Sequence, residues 1–235
     1  CSGISLKHCG EYLDIHCGGI DNAFPHHTNE IAQSEAFLGH KWCNYWFHVH
    51  HLNTNSGKMS KSKGEFLTVS LLEEKGYDPM VYRFFCLQSH YRKSLVFSYE
   101  NLDNAATAYK KLVARISSLL KDKDGQVDGA KFDEYRAKFD EALSNDLNTS
   151  LAVTALYDVL KADTNAATKL ALIEEFDKVL SLDLIKAASV EETEEAPAAD
   201  GELVAEILRL IDERKEAKKA KNFAEADRIR DYLLS

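Results

Sequence analysis

The 235-residue chain carries 38 acidic against 29 basic residues, a formal net charge of -9, and 45% of it is hydrophobic. That composition suffices for real hydrophobic cores and excludes a protein that coats nucleic acid through its overall charge, leaving only a local basic patch for such contact. Its five cysteines, Cys1, Cys9, Cys17, Cys43 and Cys86, are odd in number and lie among ordinary apolar runs, so a reducing, cytoplasmic setting is expected rather than a disulfide framework. Nothing resembles a signal peptide, and no uncharged apolar run of about 18 residues is long enough to span a bilayer. The opening Cys1-Ser-Gly, in place of a methionine, reads as a truncation or a partial reading frame.

In chain order, Tyr12 to His16 alternates as a strand with Leu13 and Ile15 on one face, and runs into Gly18-Gly19 and a turn. Pro25 suits the first turn of a helix, where its missing N–H costs nothing, and Ile31, Ala32, Ala36 and Phe37 give that helix an apolar face. A second, aromatic strand is predicted at Tyr45 to Leu52, followed by the turn formers Asn53 to Gly57 and a loop through Gly64. Thr68 is placed to cap a short helix, and Asp78-Pro79 to start another through Met80, Val81, Phe84, Phe85 and Leu87. From about Tyr99 the pattern becomes helical: Leu102, Ala105, Tyr109, Leu112, Val113, Ile116 and Leu120 recur at three- and four-residue spacing. Further helices are predicted at Phe132 to Leu143, Leu151 to Leu160 and Ala166 to Leu180, with Asp146-Leu147-Asn148-Thr149 as break and cap, which makes a bundle of about four helices. Val190 to Asp200 is acidic, contains Pro197 and reads as a flexible linker; a last helical hairpin spans Leu203 to Leu234.

Two groups of residues carry candidate chemistry. His26 and Glu30 lie four apart, so both side chains project from one helical face and suit a shared metal ion, with Cys1 as a third ligand if the fold returns it there. An i,i+4 His/Glu pair is also an ordinary solvated contact, and Cys9 and Cys17 are rival thiolates, so spacing alone leaves the choice open. His27 is read as facing elsewhere. The string Lys58-Met59-Ser60-Lys61-Ser62 is more specific, since a given five-letter string arises by chance in such a chain on the order of one time in ten thousand. Two lysines on a mobile, serine-rich loop suit charge stabilisation at the phosphates of a nucleotide.

Taken together, Cys1-Ser-Gly, the run Asp14-Ile-His-Cys-Gly-Gly-Ile-Asp21, the run Phe24-Pro-His-His-Thr-Asn-Glu-Ile-Ala-Gln-Ser-Glu35, and the 58–62 string resemble, in order and spacing, the second half of the cysteinyl-tRNA synthetases. The resemblance continues into Phe139-Asp-Glu-Ala-Leu-Ser-Asn-Asp-Leu-Asn-Thr149. It implies an α/β segment followed by an all-α one: the C-terminal part of a Rossmann-like class I catalytic domain and a helical-bundle tRNA-binding domain. The expected layout is residues 1–57 for the end of the catalytic domain with a zinc site, 58–98 for the KMSKS loop and connecting helices, 99–186 for the bundle, 187–201 for a linker and 202–235 for the hairpin.

By the same resemblance, Cys1, His26 and Glu30 match zinc ligands, with a fourth ligand expected upstream of Cys1. Gly18, Gly19 and Asp21 match the segment that meets adenosine, the carboxylate suiting a ribose hydroxyl, and Lys61, supported by Lys58, matches the ATP contact. The HIGH signature of the opposite wall is not in this sequence. Cys17, Thr28, Lys63, Glu65, Val49 and His50 depart from the commoner pattern, which touches the pocket but removes no proposed ligand. The implied reaction is ATP-dependent attachment of cysteine to tRNA(Cys) through cysteinyl-adenylate, with one Zn2+ per chain and ATP used with Mg2+. Two alternatives are a related ligase that joins cysteine to an amino sugar, disfavoured by the long helical region, and a non-catalytic tRNA-binding fragment. Arg214, Lys215, Lys218, Lys219 and Lys221 on the last hairpin are expected to meet tRNA phosphates rather than bases.

Overall fold

The computed structural model describes residues 1–54, 57–58, 68–123 and 125–193, and in the C-terminal stretch only Arg209, Leu210, Arg228 and Tyr232. The chain divides into two compact units, Cys1–Ser189 and Val190–Ser235, and the architecture below is that of the first.

Helix α1 (Ser2–Cys9) leads into strand β1 (Leu13–Gly19), a tight turn (Ile20–Asn22) and a wide one (Ala23–His27), helix α2 (Thr28–Leu38) and strand β2 (Cys43–Val49). β1 and β2 are parallel, in a register that sets His16 opposite Trp46 and Gly19 opposite Val49. Parallel neighbours need a crossover, and α2 supplies it. α2 does not begin at Pro25 as its sequence suggests: Phe24 is extended, with φ -142° and ψ 134°, because a residue ahead of proline is pushed out of the helical region. The Phe24–Pro25 peptide is cis, and regular helix starts at Thr28 and stops where Gly39 adopts the left-handed conformation.

Which faces turn inward also differs from the hydrophobic pattern. Phe37 of α2 is 80% exposed, and Ile15 of β1 is exposed as well. The buried residues of α2 are Glu30 and Ser34, four apart, and Glu30 meets His16 of β1. The helix thus turns polar rather than apolar side chains inward, which costs free energy wherever those groups lack partners.

The expected strand from Tyr45 to Leu52 is two strands. β2 ends at Val49, and β3 (Leu52–Thr54) joins a second sheet of order β4-β3-β5, with β4 (Gly57–Lys58) antiparallel and β5 (Leu95–Phe97) parallel to β3. The switch falls at His50, whose N–H donates to the carbonyl of Tyr91 instead of to a strand neighbour. Between the sheets' strands, α3 (Val69–Glu74) is capped by Thr68, which accepts from the Leu71 N–H at 3.1 Å, and α4 (Pro79–Leu87) by Asp78, which accepts from Met80 at 2.8 Å.

The remainder of this unit is helical: α5 (Tyr99–Lys121), α6 (Gly129–Ser144), α7 (Thr149–Lys161), α8 (Ala166–Leu180) and α9 (Leu184–Thr193). The spacing read along α5 is the buried face, from Leu102 to Ile116. Leu156 of α7 and Leu172, Ile173 and Phe176 of α8 are fully buried, and Phe176 stacks on Phe139 of α6 at 4.0 Å. Asp146 and Leu147 break the α6–α7 run with φ of 57° and 52°, after which Asn148 caps α7 by accepting from Leu151. The start of the linker expected from residue 187 is helical, since α9 continues to Thr193 with Leu184 and Ala188 fully buried in the core, and its remainder lies outside the described residues. The final hairpin lies outside the described residues except at four helical positions.

Candidate metal centre and nucleotide-facing segment

Cys1 immediately precedes α1, and the Ser2 hydroxyl donates to Oε1 of Gln33 at 3.0 Å, which ties that helix end to α2. The consequence is that one donor atom each from Cys1, His26 and Glu30 lie within 4.8 Å of one another. His26 comes from the wide turn and Glu30 from the first turn of α2, and the four-residue spacing survives that junction, with Nε2 of His26 3.6 Å from Oε1 of Glu30. Cys1 and His26 are exposed while Glu30 is buried, so the cluster is open on the thiol side and closed on the carboxylate side. A thiolate, an imidazole and a carboxylate are a donor set suited to zinc. Glu30 is buried, and its Oε2 has no aligned hydrogen bond although His16 lies 2.8 Å away, so the carboxylate lacks the full set of partners that burial calls for. Cys9 and Cys17 are exposed and join no donor cluster among the described residues.

A second set closes on the same carboxylate from inside. Nε2 of His16 lies 2.8 Å and Nε2 of His27 4.0 Å from Glu30 Oε2, and Nδ1 of His27 meets Nε2 of His48 at 2.8 Å. The sequence reading turned His27 away; it is instead buried beside Glu30. Burial first, and then the neighbouring imidazoles of His16 and His48, hold its pKa below the ordinary histidine value. His16 and His48 were missed because a lone histidine on a strand gives no sequence sign of what it faces.

Gly18, Gly19 and Asp21 follow at the end of β1. A Cβ on Gly18 would come within 2.7 Å of the His27 ring, and one on Gly19 within 2.6 Å of Oδ1 of Asp21, so both positions exclude side chains to admit those two groups. Asp21 is also 3.3 Å from Nε2 of His51, a partner the sequence reading did not name. Beside them, Ile20, Trp46, His48, His50, Tyr91 and Arg92 line a cavity of about 450 Å3. Tyr91 stacks on Phe47 at 4.2 Å, and its hydroxyl donates to Asp146, which also pairs with Nε of Arg92 at 2.6 Å. Lys58 contributes backbone to β4, opposite Asn53. Its side chain, and Lys61 with the rest of the 58–62 string, lie outside the described residues.

Residues 1–107 match a family model described as tRNA synthetases class I (C) catalytic domain, which fits the parallel strand–helix–strand unit that carries these residues. The chain is of the class I aminoacyl-tRNA synthetase type. Within that class it belongs to the cysteinyl-tRNA synthetase family. It is 39% identical over 235 residues to a protein named Cysteine–tRNA ligase 1 from Burkholderia lata, with 99% of this chain and 47% of that protein covered. It is 39% identical over 247 residues to Cysteine–tRNA ligase of Caldicellulosiruptor saccharolyticus, covering 100% of this chain and 52% of the relative. It is 40% identical over 237 residues to that of Legionella pneumophila, covering 100% and 50%. The chain therefore spans about half the length of the curated relatives it matches.

Proposed function

We propose that this chain supplies the zinc-binding wall, the nucleotide-facing segment and the tRNA-binding helices of an enzyme that attaches cysteine to tRNA(Cys) through cysteinyl-adenylate, using ATP with Mg2+ in the cytoplasm. The convergence of Cys1, His26 and Glu30 on one point carries this reading, because a substrate distinguished by a thiol calls for a soft Lewis acid and the donors are of the type that holds one. Zinc, when bound, would supply a centre that takes a thiol sulfur and discriminates against a hydroxyl. Glu30 and His26 would hold it from α2, and Cys1 from the mouth of α1. Asp21, beside Gly19 and His51, would accept from a ribose hydroxyl, and Lys58 and Lys61 would neutralise charge developing on the phosphates. The relatives described above are named for tRNA, which favours tRNA over an amino sugar as acceptor. Among the described residues no helix is long and apolar enough to cross a membrane.

The test is ATP–pyrophosphate exchange by the complete enzyme, with cysteine and with serine at equal concentration. Exchange driven by cysteine and abolished by Glu30→Ala supports the proposal. Exchange indifferent to cysteine, or equal with serine, contradicts it.

A further inference from the structure

Building on the zinc reading, we propose that His16 is a positioning residue that fixes the carboxylate of Glu30 so that Oε1 faces the metal. Three imidazoles surround that carboxylate, at 2.8 Å for His16, 3.6 Å for His26 and 4.0 Å for His27, and His16 is the nearest. Its contact is with Oε2. With that oxygen engaged, Oε1 is the one left toward His26 and the open side where Cys1 lies. A carboxylate buried to 3% exposure needs a charge-compensating neighbour on the side away from the cation, or its orientation is not determined.

The imidazole is itself held on several sides. Its ring stacks on Trp46, its partner across the parallel strands, with centroids 4.9 Å apart and planes 20° apart, and stands edge-on to the buried Trp42 at 5.7 Å. Nδ1 lies 3.3 Å from the carbonyl of Cys17. The His16–Glu30 contact is short without the alignment of a full hydrogen bond, so Nε2 faces the carboxylate as a polar neighbour. A rigid aromatic platform under a donor that faces one oxygen of a ligating carboxylate is the arrangement by which outer groups tune a metal site.

The platform and the donor separate cleanly by substitution: His16→Phe keeps the stack on Trp46 and removes the donor, whereas His16→Gln keeps a donor nitrogen and removes the aromatic ring. Zinc affinity of the 235-residue chain, measured by competition with a chromophoric chelator, is expected to fall about 10–100-fold in His16→Phe and to be largely restored in His16→Gln. Undiminished affinity in His16→Phe, or equal losses in both variants, would overturn the proposal. A wild-type chain that binds no zinc would instead sink the metal reading, and this one with it. Should His16→Phe fail to fold, the wild-type imidazole resonances decide: Glu30→Gln must shift the ring nitrogens of His16 in nitrogen-resolved spectra. Unmoved resonances would show that the contact is absent in solution.

Discussion

Side chains far apart in sequence reach the Cys1–His26–Glu30 cluster by different routes, and only one was readable in advance. The four-residue interval between His26 and Glu30 is local geometry and survives even the irregular turn ahead of α2. The approach of Cys1 depends on α1 docking through Ser2 and Gln33, a tertiary event for which spacing gives no signal; the family resemblance supplied it. His16, His48 and His51 were invisible for the same reason. Two predictions belong here. His51→Phe removes the neighbour of Asp21 and is expected to raise the KM for ATP severalfold while leaving the KM for cysteine unchanged, as steady-state kinetics of the complete enzyme would show. Lys61→Ala is expected to slow adenylate formation by roughly 100-fold or more while barely weakening cysteine binding, since its charge acts on the transition state. Pre-steady-state kinetics with an unchanged activation rate would refute this.

Helices and strands were legible where propensity and burial agree. The predicted range of α8 coincides with the observed one, and the caps at Thr68, Asp78 and Asn148 are where residue type placed them. Agreement fails in β1 and α2, whose inward faces carry His16, Gly18, Glu30 and Ser34 instead of Ile15 and Phe37. Hydrophobic patterning cannot find a buried face made of polar side chains, and such conflicts between local pattern and fold tend to collect at functional sites. The bundle has no such conflict, so its stability should follow packing alone. Leu156→Ala, at a fully buried position, is expected to cost about 2–5 kcal/mol in denaturant unfolding. In α4, burial pushes the Tyr82 phenol up to about 12, above the value of about 10 for an unfolded chain. The unfolded state therefore loses this proton first, and the contribution of Tyr82 to stability, whole below pH of about 10, should drain away as pH rises to about 12. Unfolding midpoints of wild type and Tyr82→Phe compared across that range check the sign: only the wild type should lose this part.

For the whole molecule, the fold class could be read as α/β followed by all-α, because the change from strand-and-turn text to three- and four-residue periodicity at Tyr99 is abrupt. Function was readable only through order and spacing of motifs, since charge and composition merely exclude. An active site that holds ATP from two sides cannot be supplied by one side, so the 235-residue chain is expected not to activate cysteine. Its basic residues Lys215, Lys218, Lys219 and Lys221 should still bind tRNA weakly, with affinity falling steeply as salt rises. A filter-binding series over salt concentration, with no detectable or salt-independent binding as the contrary outcome, tests this. On the reading proposed above, Cys1, His26 and Glu30 would hold a metal whose free position selects a thiol. Cobalt in place of zinc makes that visible, because a thiolate bound to cobalt has its own charge-transfer absorption. The cobalt-loaded chain should show that band, lose it in Cys1→Ser, and change its spectrum on addition of cysteine but not of serine; a spectrum indifferent to Cys1→Ser, or altered equally by the two amino acids, would contradict the account.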